Sequence, residues 1–347
     1  MSLGLTLLDE IDYVQSPMIG SEYALQGTSV SIAQSISVAG SSRTITLHAP
    51  YFTRTLGPND LGQAWVPFCN ELHRHAIPTF RRVDALASIP AASIPVRWSG
   101  RAVDEPFKLD ELATANLFEI TCHDRVRRRW HWPSEIAPDR IDGLLRSVRE
   151  AAGGGTPIGV NLPLGCHLHD MQCCLSADVD FICLTSRFAK FEARDLLSLV
   201  QCRRLAGQLN RPQLPLLVTA PIVNIEQAHK LLALGASAVS IDDILRPVIA
   251  QDLQPSEKEV PIVDLRRKLP SIALGISSSA NKLIELPQVE KLLTRAQRLL
   301  VERLSSVGAA DLIGFTAECL RSCSKRAERL TGALRLEHID EMARPEH

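Results

Sequence analysis

The sequence lacks an excess of charge of either sign. Lys and Arg nearly balance Asp and Glu, the formal net charge is -1, and no bulk attraction to nucleic acid or to a membrane surface follows. It lacks any run approaching the roughly 18 apolar residues of a spanning helix. The opening ten residues have neither a basic n-region nor a sustained apolar stretch, so neither a signal peptide nor an anchor is expected there. A disulfide framework is missing too: nine cysteines, an odd number, are scattered over 347 residues, which favours reduced thiols and predicts a cytoplasmic location. Low-complexity tracts and short-period repeats are absent. A chain that is 45% hydrophobic and 22% charged is an ordinary globular one, and its length suits a single barrel with extensions.

What is present is a repeated phrase, a short β-branched strand followed by an amphipathic helix. Strands are expected at 117–121, 158–162, 179–184, 214–219 and 238–241. Helices are expected at 138–152, 193–209 and 224–234, the last with Asn224 as N-cap and the first stopped by Gly153, Gly154 and Gly155. Residues 44–48 read as a first strand and 59–75 as its helix, while 84–105 is broken by prolines. Strands alternating with helices imply parallel pairing and right-handed crossovers. The fold class is therefore an α/β (β/α)₈ TIM barrel, divided into an N-terminal extension (1–42, with a hairpin or lid over 30–38), a barrel (43–282), and C-terminal helices (283–304 and 311–330) that pack on the barrel or on a partner.

One further absence bears on function. Phosphate-binding barrels place glycines after strands seven and eight, where backbone N–H groups meet the phosphate. Here Thr219-Ala220-Pro221 and Ile241-Asp242-Asp243 stand at those places. Pro221 has no N–H to give, and two carboxylates oppose a phosphate by about 1 kcal/mol per pair even when partly screened.

The order of these motifs resembles the C-terminal half of the FMN-binding barrel of glutamate synthase and its stand-alone relatives. Val160-Asn161-Leu162 matches that family's Val-Lys-Leu strand with Asn161 in the lysine position. Residues 185–190, from Thr185 and Arg187 to Lys190, stand where its glycine-rich loop belongs. Ala220-Pro221-Ile222 replaces its paired glycines, and Leu234-Gly235-Ala236-Ser237-Ala238-Val239 is well kept. The resemblance implies an oxidoreductase-superfamily barrel with Asn161, Thr185, Arg187, Ala220 and Asp242 around a cofactor site, while the missing glycines imply that the flavin phosphate site is lost or rebuilt. The family's iron–sulfur cysteine spacing is not reproduced.

Two clusters at strand carboxyl ends carry other chemistry. Cys166, His169 and Cys173 are zinc ligand types, with His169 and Cys173 on one face if 168–176 is a helix; together they would suit a metal-dependent lyase or hydrolase. Cys122 and His123, followed by Arg125 and Arg127 to Arg129 with Trp130 and Trp132, could supply a nucleophile, as could Cys166. The arginine loop equally suits an anionic small ligand, a subunit contact or a protein partner, so a non-catalytic subunit or scaffold stands beside the enzymatic readings.

Overall fold

The computed structural model describes residues 7–13, 30–37, 44–82, 97–102, 117–121, 123–124, 129–130, 138–151, 155–186, 191–253, 284–322, 324–332 and 334–335. The strands are β1 (Ile11–Tyr13), β2 (Gln34–Ser37), β3 (Thr44–Leu47), β4 (Tyr51–Phe52), β5 (Thr79–Arg82), β6 (Arg97–Ala102), β7 (Leu117–Thr121), β8 (His123–Asp124), β9 (Arg129–Trp130), β10 (Ile158–Pro163), β11 (Phe181–Thr185), β12 (Leu216–Thr219), β13 (Ala238–Ser240), β14 (Leu320–Ser322) and β15 (Leu334–Arg335). The helices are α1 (Pro58–Leu61), α2 (Trp65–Arg74), α3 (Pro138–Ala151), α4 (Leu168–Ser176), α5 (Ala193–Gln208), α6 (Ile225–Ala233), α7 (Asp242–Asp252), α8 (Pro287–Ser306) and α9 (Lys325–Thr331).

Eight strands form one parallel sheet in the order β4-β13-β12-β11-β10-β7-β6-β5. A bridge between Thr53 and Thr79 joins its two ends, with Thr53 N donating to Pro78 O at 3.0 Å and Phe80 N to Thr53 O at 2.7 Å. Sheet order therefore follows chain order around a closed barrel, as crossovers of a single hand require. The barrel strands from β10 onward are almost wholly buried, because helices cover one face and the barrel interior the other.

The two faces of each strand belong to two cores. Phe118 and Ile120 pack outward with the helices, whereas Leu117, Phe181, Leu217 and Ala238 join Phe52 and Phe80 inside the barrel. Gly159 makes room for that interior layer: a Cβ there would lie 2.3 Å from the Phe181 ring, so only hydrogen fits. At the amino end of the barrel, β2 and β3 form an antiparallel hairpin whose Ile36 and Leu47 complete the apolar layer.

This hairpin corrects the sequence reading at one point. The segment read as a first barrel strand, 44–48, pairs with 34–37 instead, and the place between β13 and β5 is taken by Tyr51 and Phe52. Both stretches are short and apolar, and only the partner decides between them.

The outer layer departs from expectation as well. Helix α7 runs through Pro247, a residue type that ordinarily breaks a helix interior. The second terminal helix expected over 311–330 is instead a 3-10 turn, strand β14 and the short helix α9. Strand β1 pairs antiparallel with β14, which pairs with β15, so N-terminal and C-terminal segments share one small sheet. Helix α8 turns Val289, Leu293, Ala296, Leu300 and Leu304 into the main core, which uses its apolar face within the chain. The scaffold reading rests on the arginine loop, most of which lies outside the described residues, and on the terminal helices, of which α8 sets its apolar face against the main core. Among the described residues no helix is long and apolar enough to cross a membrane.

Candidate functional site

Alternation along the strands places the chemistry. Leu117, Glu119 and Thr121 share the inward face of β7, as do Gly159, Asn161 and Pro163 on β10, and Phe181, Cys183 and Thr185 on β11. The first interior residue of each strand is apolar or glycine. Along β7, β11, β12 and β13 the last inward residue carries a hydroxyl (Thr121, Thr185, Thr219 and Ser240), so the interior grades from an apolar plug at the amino end to a polar layer at the carboxyl end, the end where barrel enzymes keep their sites.

The centre of that layer is an ion pair. Arg54, immediately past β4, donates from Nη1 to Glu119 Oε2 at 2.8 Å and from Nη2 to Glu119 Oε1 at 2.6 Å. Glu119 is fully buried and the Arg54 side chain is 10% exposed. Thr121 Oγ1 donates to Glu119 Oε1 at 2.9 Å, and the Phe80 ring lies under the guanidinium, 4.1 Å from its centroid. Burial by itself would raise the Glu119 carboxyl, but the Arg54 charge and the hydrogen bonds of Arg54, Cys183 and Thr121 outweigh it and hold the group below the usual carboxylate range. Burial, reinforced by the Glu119 charge, pushes the Cys183 thiol well above the usual range. Carboxylate and thiol are thus fixed in opposite protonation states at neutral pH.

Beside the pair, Thr185 Oγ1 donates to the Oδ1 of buried Asn161 at 2.9 Å. Thr219 ends β12 half-buried, followed by buried Ala220. Asp242, the first residue of α7, is 3% exposed and accepts from Arg54 N at 2.8 Å, Thr55 N at 3.2 Å, Leu56 N at 3.1 Å and Ser240 Oγ at 2.5 Å. Of the residues expected around a cofactor, Asn161, Thr185, Ala220 and Asp242 therefore lie at the carboxyl ends of neighbouring strands. Arg187 lies outside the described residues.

The cysteine and histidine clusters do not assemble. His169 and Cys173 do share a face of α4, with Sγ and Nε2 3.6 Å apart, but both point away from the barrel interior into solvent or partial exposure. Cys166 is buried with Leu164 and Met171 in the main core. Among the described residues no group of three or more His, Cys, Asp or Glu is placed to hold a metal. The metal-dependent lyase or hydrolase is corrected on that ground: a helix presents two ligands on one face, and the turn before it turns the third inward. Cys122 lies outside the described residues, and His123 is placed only by its backbone, paired with Trp130 in the small ladder of β8 and β9.

Sequence reasoning missed Arg54, Glu119 and Cys183. Glu119 had a visible signal, being the single charge inside the apolar stretch 117–121, where an acid needs a buried partner. A cavity of about 620 Å³, lined by Asp180, Arg211, Leu214, Asp311 and Ile313 among others, lies at the opposite end, among the loops that precede the strands. Its position is not one where barrels place their chemistry.

No family model matches the chain, and no curated protein matches it. Solved structures do. The flavin-binding domain of baker's yeast flavocytochrome b2 superposes with a TM-score of 0.58 at 14% identity, covering 98% of this chain and 83% of that one. Mandelate oxidase with (S)-2-phenylpropionate gives 0.55 at 14% identity, covering 89% and 86%. The chain shares their fold. At such identity the likeness establishes architecture alone, and it corrects the expected kinship with glutamate synthase. The stretch Leu234 to Val239 that suggested it serves packing: Gly235, at φ +106°, ends α6, and Arg203 ties its carbonyl, at 3.0 Å from Nε, to the loop before β12.

The first is described as flavin-binding, and a mutant of mandelate oxidase is described with an FMN adduct, so the residues here are to be set against FMN. Among the described residues, those after β12 and β13 do not fit its phosphate. After β12 the chain offers Ala220 and Pro221, and after β13 the helix opens on Asp242 and Asp243, one of which already consumes the N–H donors of the neighbouring loop.

Proposed function

We propose that this chain is a barrel of the flavocytochrome b2 and mandelate oxidase architecture that binds a small polar molecule at the carboxyl ends of its strands. The observation carrying this reading is the graded interior, apolar and plugged at one end and lined by Arg54, Glu119, Asn161, Thr185 and Thr219 at the other. Its charges are neutralised in place, Arg54 by Glu119 and Asp242 by backbone donors. Recognition therefore falls to the amide and hydroxyls of Asn161, Thr185 and Thr219, which favour a hydroxylated ligand of low charge. No group described in the layer stands ready to exchange a proton near neutrality, since Glu119 is held ionised and the Cys183 thiol protonated. Binding, rather than acid–base chemistry by these residues, is the proposed role. The odd and scattered set of nine cysteines supports a reducing, cytoplasmic setting for the chain.

The test is a thermal-shift and calorimetric panel of small hydroxy acids and their uncharged amides. At least one is expected to raise the melting temperature of the wild type, with the response lost in Asn161→Ala and in Thr185→Val. A panel without response, or one indifferent to both variants, sinks the reading. A second reading, a flavin-dependent 2-hydroxy-acid oxidoreductase, is favoured by likeness of fold over nearly the whole chain. A flavin band in the visible spectrum of the purified protein would decide for it.

A further inference from the structure

We propose that Asp242 is a built-in anion, whose carboxylate fills an oxyanion nest that would otherwise receive the phosphate group of a ligand. Three consecutive backbone N–H groups past β4, those of Arg54, Thr55 and Leu56, converge on it at 2.8, 3.2 and 3.1 Å. The Ser240 hydroxyl adds a fourth contact at 2.5 Å. Successive N–H groups aimed into one hollow form an anion site from backbone alone, and here the anion is observed in place, 3% exposed. It is supplied by the first residue of α7, directly after β13, where barrels of this architecture receive a phosphate. A cation stands at the rim: Arg246 Nη2 donates to Thr55 Oγ1 at 2.9 Å, while its Nε lies 3.7 Å from Asp243 Oδ1 and its Nη1 3.8 Å from Asp60 Oδ1.

The consequence is exclusion rather than weak affinity. An incoming phosphate must either lie against the Asp242 carboxylate or expel it, leaving a buried carboxylate without its four donors. The chain thus refuses a phosphorylated ligand because its own side chain occupies the donors. This inference does not depend on which molecule sits over Asn161 and Thr185, and its outcome is read separately.

The experiment uses the full chain as wild type, Asp242→Gly and Asp242→Asn. Inorganic phosphate is the first probe, with chloride at matched ionic strength, read by thermal unfolding and calorimetry. FMN against riboflavin is the second, read by quenching of flavin fluorescence. The wild type is expected to give no phosphate-specific shift and to bind FMN no more tightly than riboflavin. Asp242→Gly is expected to melt lower, to recover about 2–3 °C at phosphate tenfold above its Kd, and to prefer FMN over riboflavin at least tenfold. Asp242→Asn keeps an acceptor oxygen in the nest and should behave as the wild type towards phosphate. A wild type that prefers FMN tenfold overturns the proposal, whether or not a variant folds, and so does a folded Asp242→Gly indifferent to phosphate.

Discussion

Glu119 and Arg54 show how much a single side chain can hold. Glu119 is fully buried and Arg54 nearly so, and two hydrogen bonds join them. Removing one partner strands the other, which costs about 3–5 kcal/mol, whereas replacing both by apolar residues of similar volume costs far less. Glu119→Ala is therefore expected to lower the urea midpoint sharply, and the double variant Arg54→Met with Glu119→Leu to regain most of the loss. Equal losses in the single and double variants would show that the pair matters through packing and not through charge. The identity of this pair was only half legible. A lone acid in an apolar strand announces a buried partner, but Arg54 is 65 positions away, and only barrel closure brings it across.

At the scale of elements, the strands and helices of the second half were legible because apolar residues recur there at strand or helix spacing between clear turn signals. Asn224 does accept from Gln227 N, at 2.9 Å, as its place before an apolar helix predicts. The first half was less legible because its strands are short and their partners distant. Residues 44–48 and 51–52 are both plausible first strands until the hairpin with 34–37 claims one. Site residues divide in the same way: Asn161, Thr185 and Asp242 could be placed from strand ends, while Cys166 could not, since a one-residue turn decides whether a thiol faces a cavity or the core. Caps supplied from afar are invisible to local pattern. Asp252, at the end of α7, accepts from Gln288 N and Val289 N at 3.1 Å and so caps α8 across a long intervening segment. Asp252→Ala is expected to cost about 0.5–2 kcal/mol, seen as faster amide exchange in the first turn of α8 ahead of the rest of that helix.

For the whole molecule, the joint between barrel and outer layer carries a pH dependence. Tyr51 donates to Ala296 O at 3.2 Å and meets His229 Nε2 at 2.8 Å, linking β4, α6 and α8. With the tyrosine proton committed to the carbonyl, Nε2 carries the histidine proton and Nδ1 is buried without a hydrogen-bond partner. Burial, aided by the Arg303 charge, pulls the His229 pKa down to about 3. The unfolded chain, with an ordinary value near 6.5, takes up the proton first. Stability from this group is thus complete above about pH 6.5 and falls by about 1.4 kcal/mol per pH unit as pH drops towards 3. Glu119, held low, adds its own loss only as pH falls into the ordinary carboxylate range, while the Asp195 and Asp252 carboxyls, raised by burial, act in the opposite sense, so the histidine's share is read from its variant. His229→Gln is expected to flatten that slope; an unchanged slope would place the titration elsewhere.

The pairing of β1 with β14 sets a timetable for synthesis. Residues 11–13 leave the ribosome long before their hydrogen-bonding partners, residues 320–322. At about 5–20 residues per second the early strand waits roughly 15–60 s for its partner. During that interval its edge is open to any other extended chain, and a nascent barrel that has already closed still waits for β14 to complete the small sheet.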